Sequence, residues 1–212
     1  MAIVNGTFNQ IVKGSSKFGG TKVVFEGKPE LLVGGFNFNL DDLPEPGEVL
    51  PCGTPVYCDE QARTITPILT ARVASIDTTN KTITFEDNGF GRVPFKVGDV
   101  ITILTDFTTA ATAYSTITAI EGNVVTLDDN LAGGASNQVL VKINSTNHKV
   151  PATPNALTPY DIVRSADAIS VDGDGMWAND RPILERRMPA VTDAVKNALK
   201  AAGCVFKWSN RK

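Results

Sequence analysis

Alternating apolar and polar positions dominate the middle of the chain. In ARVASIDTTNKTITFEDN, Ala71 to Asn88, and again in STITAIEGNVVTLDDN, Ser115 to Asn130, two alternating runs flank a short polar break. Alternation with period two, bounded by turn residues, is the pattern of half-buried strands, and two such runs around a short break predict a hairpin. The two stretches align as a repeat. Val73 and Ile76 correspond to Ile117 and Ile120, Asp77 to Glu121, and the run Thr84 to Asn88 to the run Thr126 to Asn130. In the second copy Gly122-Asn123 forms a two-residue turn that suits strand twist, while the first has a looser Thr78-Thr79-Asn80-Lys81 connection. A third strand follows each hairpin: Val100 to Ile103 after the turn at Val97-Gly98-Asp99, and Gln138 to Ile143. Two hairpin-plus-strand units are enough to close a small barrel or sandwich, whereas a propeller or solenoid needs more copies. The expectation is an inserted β domain over residues 71–143.

The flanks read differently. Near the C-terminus, Met188 to Gly203 carries an apolar stripe of Val191, Ala194, Val195, Ala198, Leu199 and Ala202 at helical spacing. Pro189 suits a first helical turn and Gly203 the position just past the end, with Asp193 early and Lys200 late to match the helix dipole. A strand over Cys204 to Trp208 is expected next, with the helix lying across a β structure that includes Thr54 to Cys58. At the other end, residues 1–44 mix Gly, Ser, Asn and Lys with one short strand candidate, Thr21 to Phe25. That is too little apolar surface to bury a core, so the stretch reads as an arm that docks on something. Phe36 and Phe38 alternate with Asn ahead of the acidic, turn-rich DDLPEPGE, which places a boundary near Pro44. The chain therefore reads as mainly β with one C-terminal helix, in which residues 45–70 and 144–212 form a core interrupted by the insert.

Composition narrows the chemistry. With 212 residues, 42% hydrophobic and 20% charged, the chain can build a real core, and no apolar run approaches the length of a membrane-spanning helix. The first twenty residues lack a basic flank followed by an apolar stretch, so the expected location is a cytosol with reduced thiols. A net charge of −3 argues against nucleic acid as a partner, because such binders need clustered Lys and Arg to displace counterions, and the basic cluster here is the tail of Lys207, Arg211 and Lys212.

Candidate reactive groups are few. Cys52 and Cys58 stand five residues apart, Cys204 is distant, and His148 is the single histidine. Zinc sites pair cysteines two to four residues apart and need four ligands, and a catalytic cysteine needs a base, so all three cysteines read as structural, with no metal and no cofactor expected. In SVDGDGMWAND, Asp172, Asp174 and Asp180 superficially resemble a calcium loop. A loop begun at Asp172 would put Met176, Trp177 and Ile183 where a ligand, the turn glycine and the bidentate Glu belong. Gly173-Asp174-Gly175 is expected to be a hairpin tip instead. Asp41-Asp42 and Asp128-Asp129 sit in turn contexts, the serines lack a nucleophile elbow, and no glycine-rich phosphate loop is present. No catalytic residue is assigned.

Three segments, in order, resemble the head-decoration or head-fibre proteins of tailed bacteriophages. They are Gly47-Glu48-Val49-Leu50-Pro51-Cys52-Gly53-Thr54, the stretch Tyr160 to Gly175, and Thr192-Asp193-Ala194-Val195-Lys196-Asn197-Ala198-Leu199. Together they cover under half of the chain. The long N-terminal arm and the β insert depart from the small members of that group. The resemblance implies a β-tulip core, a non-enzymatic role, binding to a major capsid protein and homotrimers over symmetry axes of the shell. It also implies assembly in the bacterial host cytoplasm, residence on the virion capsid surface where the protein stabilises the head or presents an exposed domain, and an insert that projects as an ornament or binds a host-surface glycan weakly. A host-binding adhesin and a hydrolase of cell-surface polysaccharide, using acidic residues of the insert, are the competing readings.

Overall fold

A computed structural model describes residues 24–25, 27–32, 35–87 and 93–209. Before the insert come β1 (Pro29–Leu31), β2 (Phe36–Phe38), β3 (Val49–Leu50), β4 (Pro55–Asp59) and β5 (Thr64–Pro67). The insert supplies β6 (Thr70–Asp77), β7 (Thr82–Phe85), β8 (Val100–Ile103), β9 (Ser115–Glu121), β10 (Val124–Leu127) and β11 (Val139–Ile143). After it come β12 (Ala156–Leu157), β13 (Ile162–Val163), β14 (Val171–Gly173), β15 (Met176–Asn179), β16 (Ile183–Leu184), α1 (Asp193–Ala201) and β17 (Trp208–Ser209). The chain is mainly β, with one α-helix near the C-terminus among the described residues.

Strands β6 to β11 close into a six-stranded barrel in the order β10-β7-β6-β11-β8-β9. Its two halves are related by a pseudo-two-fold that the backbone obeys bond for bond. Val73 pairs with Phe85 and Ser75 with Thr84 across a bulge at Ala74; in the second half Ile117 pairs with Leu127 and Ala119 with Thr126 across a bulge at Thr118. Ile83 lies opposite its own counterpart Val125, and Thr102 opposite its counterpart Val141, so the axis passes through both pairs. Even the irregular bonds repeat. The Val73 N–H donates to the Gln138 carbonyl as the Ile117 N–H donates to that of Asp99, and Phe85 to Asn123 as Leu127 to Lys81. A bulge raises local twist, and one in each hairpin helps so few strands curl into closure.

The interior holds Val73, Ile83, Phe85, Ile101, Ile117, Val125, Leu127 and Leu140, all buried. Strands β8 and β11 are covered on both faces: Ile101 and Leu140 belong to that interior, whereas Val100, Val141 and Ile143 pack with Cys52, Ile68, Leu157, Val191, Val195 and Leu199. Double coverage explains why VITI and VLVKI read as near-continuous apolar runs. The barrel's entry and exit are adjacent, since Thr70 pairs with Val141.

The rest of the chain wraps the barrel. A seven-stranded sheet runs β1-β15-β12-β4-β5-β2-β14, and the two-stranded sheets β13-β3 and β16-β17 complete it. Sequence and structure part here in two places. Residues 29–43, assigned by sequence to the arm, supply β1 and β2 and bury Phe36, Phe38 and Leu43 in the core, because alternation at Phe36 and Phe38 gives β2 one wholly apolar face. Residues 1–23, including most of the Thr21–Phe25 strand candidate, lie outside the described residues, as do Arg211 and Lys212. Gly173-Asp174-Gly175 is not a hairpin tip. It joins β14, at one edge of the curled sheet, to β15, next to the other edge. Glycine is needed at both positions for space: an added Cβ would lie 2.2 Å from the Phe38 ring at Gly173, and 2.5 Å from the Cys58 Sγ at Gly175.

The helix is shorter than its apolar stripe. It starts at Asp193, with Thr192 as N-cap accepting from the Val195 N–H at 3.4 Å, so Pro189 falls outside it and not in its first turn. Its end is as expected. Gly203 has φ +88, its N–H donates to the Lys200 carbonyl and the Cys204 N–H to that of Leu199, which satisfies two otherwise unpaired carbonyls. Beyond it, the expected strand is a single bridge from Val205 to Ala178 followed by β17.

Candidate functional site

The motif Leu50 to Thr54 forms a buried polar knot. The Thr54 hydroxyl donates to the Pro51 carbonyl at 2.6 Å, the Thr158 hydroxyl donates to the same carbonyl at 3.0 Å, and the Thr54 N–H donates to the Thr158 Oγ1 at 3.0 Å. The Gly53 N–H donates to the Thr158 carbonyl at 2.8 Å. Gly53 has φ +82, and a Cβ there would come within 2.7 Å of the Met188 Cβ. The glycine, the two threonines and the proline therefore lock β4 to β12 and to the segment leading into α1. Gly53 is required by backbone geometry, and the two threonine hydroxyls satisfy buried polar groups.

The cysteines separate. Cys52 Sγ lies 3.2 Å from the Pro159 carbonyl, on the helix side of the sheet, while Cys58 packs with Phe36 and Ile65 in the barrel-side cluster. Cys204 Sγ contacts the Asn155 carbonyl at 3.0 Å, and the Asn155 side chain brackets Cys58 by accepting from its N–H at 2.8 Å and donating to its carbonyl at 2.9 Å. Burial, with minor help from nearby carboxylates, pushes the Cys58 thiol up to about 12, and burial pushes that of Cys204 up to about 11. Thiols held neutral in this way are poor nucleophiles.

The acidic candidates are scattered. Asp174 accepts from the Tyr160 hydroxyl at 2.9 Å, and burial together with that carboxylate raises the tyrosine above its ordinary range. Asp180 accepts from the Lys28 N–H at 2.8 Å, and Asp172 sits opposite Asn37. Asp41 and Asp42 lie in a short 3-10 turn, Leu40–Asp42. Asp128 accepts from the Ser115 hydroxyl at 2.6 Å and the Thr116 N–H at 2.8 Å, which lowers it to about 2. A carboxyl so acidic is the opposite of a general acid, whose value must be raised toward neutrality. Among the described residues no group of three or more His, Cys, Asp or Glu could hold a metal ion. His148, at φ +53, stacks on the half-exposed Tyr114 with ring centroids 3.9 Å apart.

The sequence alone did not point to one concavity among the described residues. A cavity of about 600 Å³ lies between the first barrel hairpin and residues 185–191. Arg72, Glu86 and Asp87 line one side, Arg186 and Pro189 the other, with Leu69 among the apolar wall residues. Arg72 is held by donating to the Asn137 carbonyl at 2.9 Å and lies 3.7 Å from the Glu86 carboxylate.

No protein-family model, curated protein or solved structure matches the chain.

Proposed function

We propose that the protein is a structural component of a tailed-phage or prophage capsid surface, with the wrapped sheet and helix as a β-tulip-like seat and the barrel as the projecting ornament. The knot from Leu50 to Thr54 carries this reading. Within the stretch that resembles the phage decoration proteins, Pro51 and Thr54 hydrogen-bond with Thr158 just after β12, and Gly53 lies too close to Met188 to carry a side chain, which supports reading this stretch as a structural joint. The scatter of the carboxylates and the buried, neutral thiols favour this role over an enzymatic one. Its partners are the major capsid protein and two further copies of itself. Individually weak contacts then reinforce one another through a shared trimer.

Sedimentation tests the proposal. The full chain, mixed with expanded capsids assembled from a major capsid protein encoded beside it, is expected to co-sediment saturably, and light scattering is expected to give a trimer mass. A monomer that stays at the top of the gradient at every capsid concentration would sink the assignment.

A further inference from the structure

Both ends of the described chain meet at β16. On one side Phe25 bridges Ile183 antiparallel and the Leu184 N–H donates to the Val24 carbonyl at 3.0 Å; on the other, β17 runs parallel and the Ile183 N–H donates to the Lys207 carbonyl at 2.7 Å. An antiparallel N-terminal segment and a parallel C-terminal one run off the same end of the strand between them. The chain before Val24 and the chain after Ser209 therefore both head past Leu184, about 10 Å apart, which is two strand spacings. No described strand pairs with the outer side of β17. In the parallel register the Lys207 carbonyl faces β16, so the N–H and carbonyl of Trp208 face outward, without a partner among the described residues. That edge is held in place, with Phe206 edge-on to the Trp208 ring at 5.7 Å and the Lys196 ammonium 5.3 Å from its centre.

An open edge of this kind takes an extended segment that brings apolar residues of its own. By contrast β1, at the edge of the seven-stranded sheet, is guarded: Pro29 has no N–H to give and Glu30 is charged, whereas β17 contains neither proline nor charge. The N-terminus supplies such a segment. Ile3, Val4, Phe8, Ile11 and Val12 fall within residues 1–12, a stretch without proline or a charged side chain. Residues 1–23 are long enough to span up to about 75 Å when extended. At Val24 the chain is already level with the end of β17 and heading outward, so the edge of its own copy lies behind it and that of a neighbour ahead. Donor segment and acceptor edge are different patches of one chain, the kind of contact that closes a ring under three-fold symmetry.

We propose that residues 1–12 of one copy pair with the β17 edge of the next, three copies closing a ring. This exchange rests on the trimer proposed above, and its test separates the two. Full chains carrying Ser209→Cys together with Val4→Cys, Phe8→Cys or Val12→Cys are oxidised mildly and run without reductant. At least one pair is expected to give covalent trimers, which a chain with a single added thiol cannot form because the native cysteines are buried. Deleting residues 1–12 is expected to convert the trimer seen by light scattering into a monomer, with the circular dichroism spectrum and thermal midpoint unchanged. A trimer that survives the deletion, or cross-links confined within single chains, overturns the exchange and leaves the trimer standing. A full chain that stays monomeric overturns both, and the capsid reading is then judged by co-sedimentation alone. If the deletion abolishes that co-sedimentation in a monomer, the segment binds capsid and not a second copy.

Discussion

The barrel and the sheet that wraps it are built on opposite principles. Half of the barrel's neighbouring strand pairs, β6-β7, β8-β9 and β9-β10, join consecutive strands, and the same hairpin is used twice with matching pairing and matching bulges. The seven-stranded sheet is assembled from pieces of two to five residues, and it pairs β1 with β15 and β2 with β14 across most of the chain. Local pairings close short loops at low entropic cost, whereas the distant pairings of the sheet gain nothing until the intervening chain is already compact. Thr70 and Val141 lie side by side, so a formed barrel brings the two halves of the sheet together. The barrel thus serves as a clamp.

The strongest test of that dependence is to remove the clamp. Replacing residues 71–143 by a short Gly-Ser linker is expected to abolish cooperative thermal unfolding, because Val100, Val141 and Ile143 would be stripped from the cluster around Val191 and Leu157. A sharp transition retained in circular dichroism would show instead that the sheet stands alone.

A smaller blow falls on the sheet only. Gly175→Ala puts a methyl 2.5 Å from the Cys58 Sγ and 2.9 Å from the Ala156 Cβ, and it is expected to cost about 3 kcal/mol in urea unfolding, the upper end of overpacking penalties. A change below about 1 kcal/mol would mean that the curled edge adapts freely.

Within the barrel, the two halves can be set against each other. Asp99 and its counterpart Gln138 both accept from a backbone N–H three residues earlier, that of Lys96 or Ala135, each at 2.8 Å. Asp99 also pairs with Lys142 at 2.9 Å, both side chains being largely buried. Asp99→Ala strands that ammonium and is expected to cost about 2–3 kcal/mol, while Gln138→Ala loses two exposed neutral hydrogen bonds, to the Ala135 N–H and the Gly133 carbonyl, about 1 kcal/mol. Equal costs in chemical denaturation would erase the distinction.

The smallest effect is a pH dependence. Asp128 is held at about 2 in the fold, below the ~3.9 of an unfolded aspartate. Its contribution to stability is therefore fully present above about pH 4 and is lost as the pH falls toward about 2. Ser115→Ala removes the largest cause of the shift and is expected to flatten the urea midpoint over that window; a profile identical to the parent's would discard that hydrogen bond's role.

Period-two alternation marked the hairpin strands of the barrel because each has one interior face, and Gly122 and Gly203 were readable as turn residues because both adopt a positive φ. The cavity was not legible. It depends on which distant segment, here residues 185–191, lies over the first hairpin, and that is not a property of residues near in sequence. The arm was misread for the same reason: Phe36 and Phe38 form too short a strand to announce itself, and they become core only because β5 and β14 lie on either side.

By itself the sequence determined the local elements and the duplication: hairpins, alternation, one helix and a glycine where its end turns back. Tertiary structure decided which face of each short strand is buried, where the helix begins, and why glycines at 53, 173 and 175 have no room for a side chain. Local rules act through a few neighbouring dihedrals and side-chain periods. The rest was fixed by surfaces that meet only when the chain has closed around the barrel.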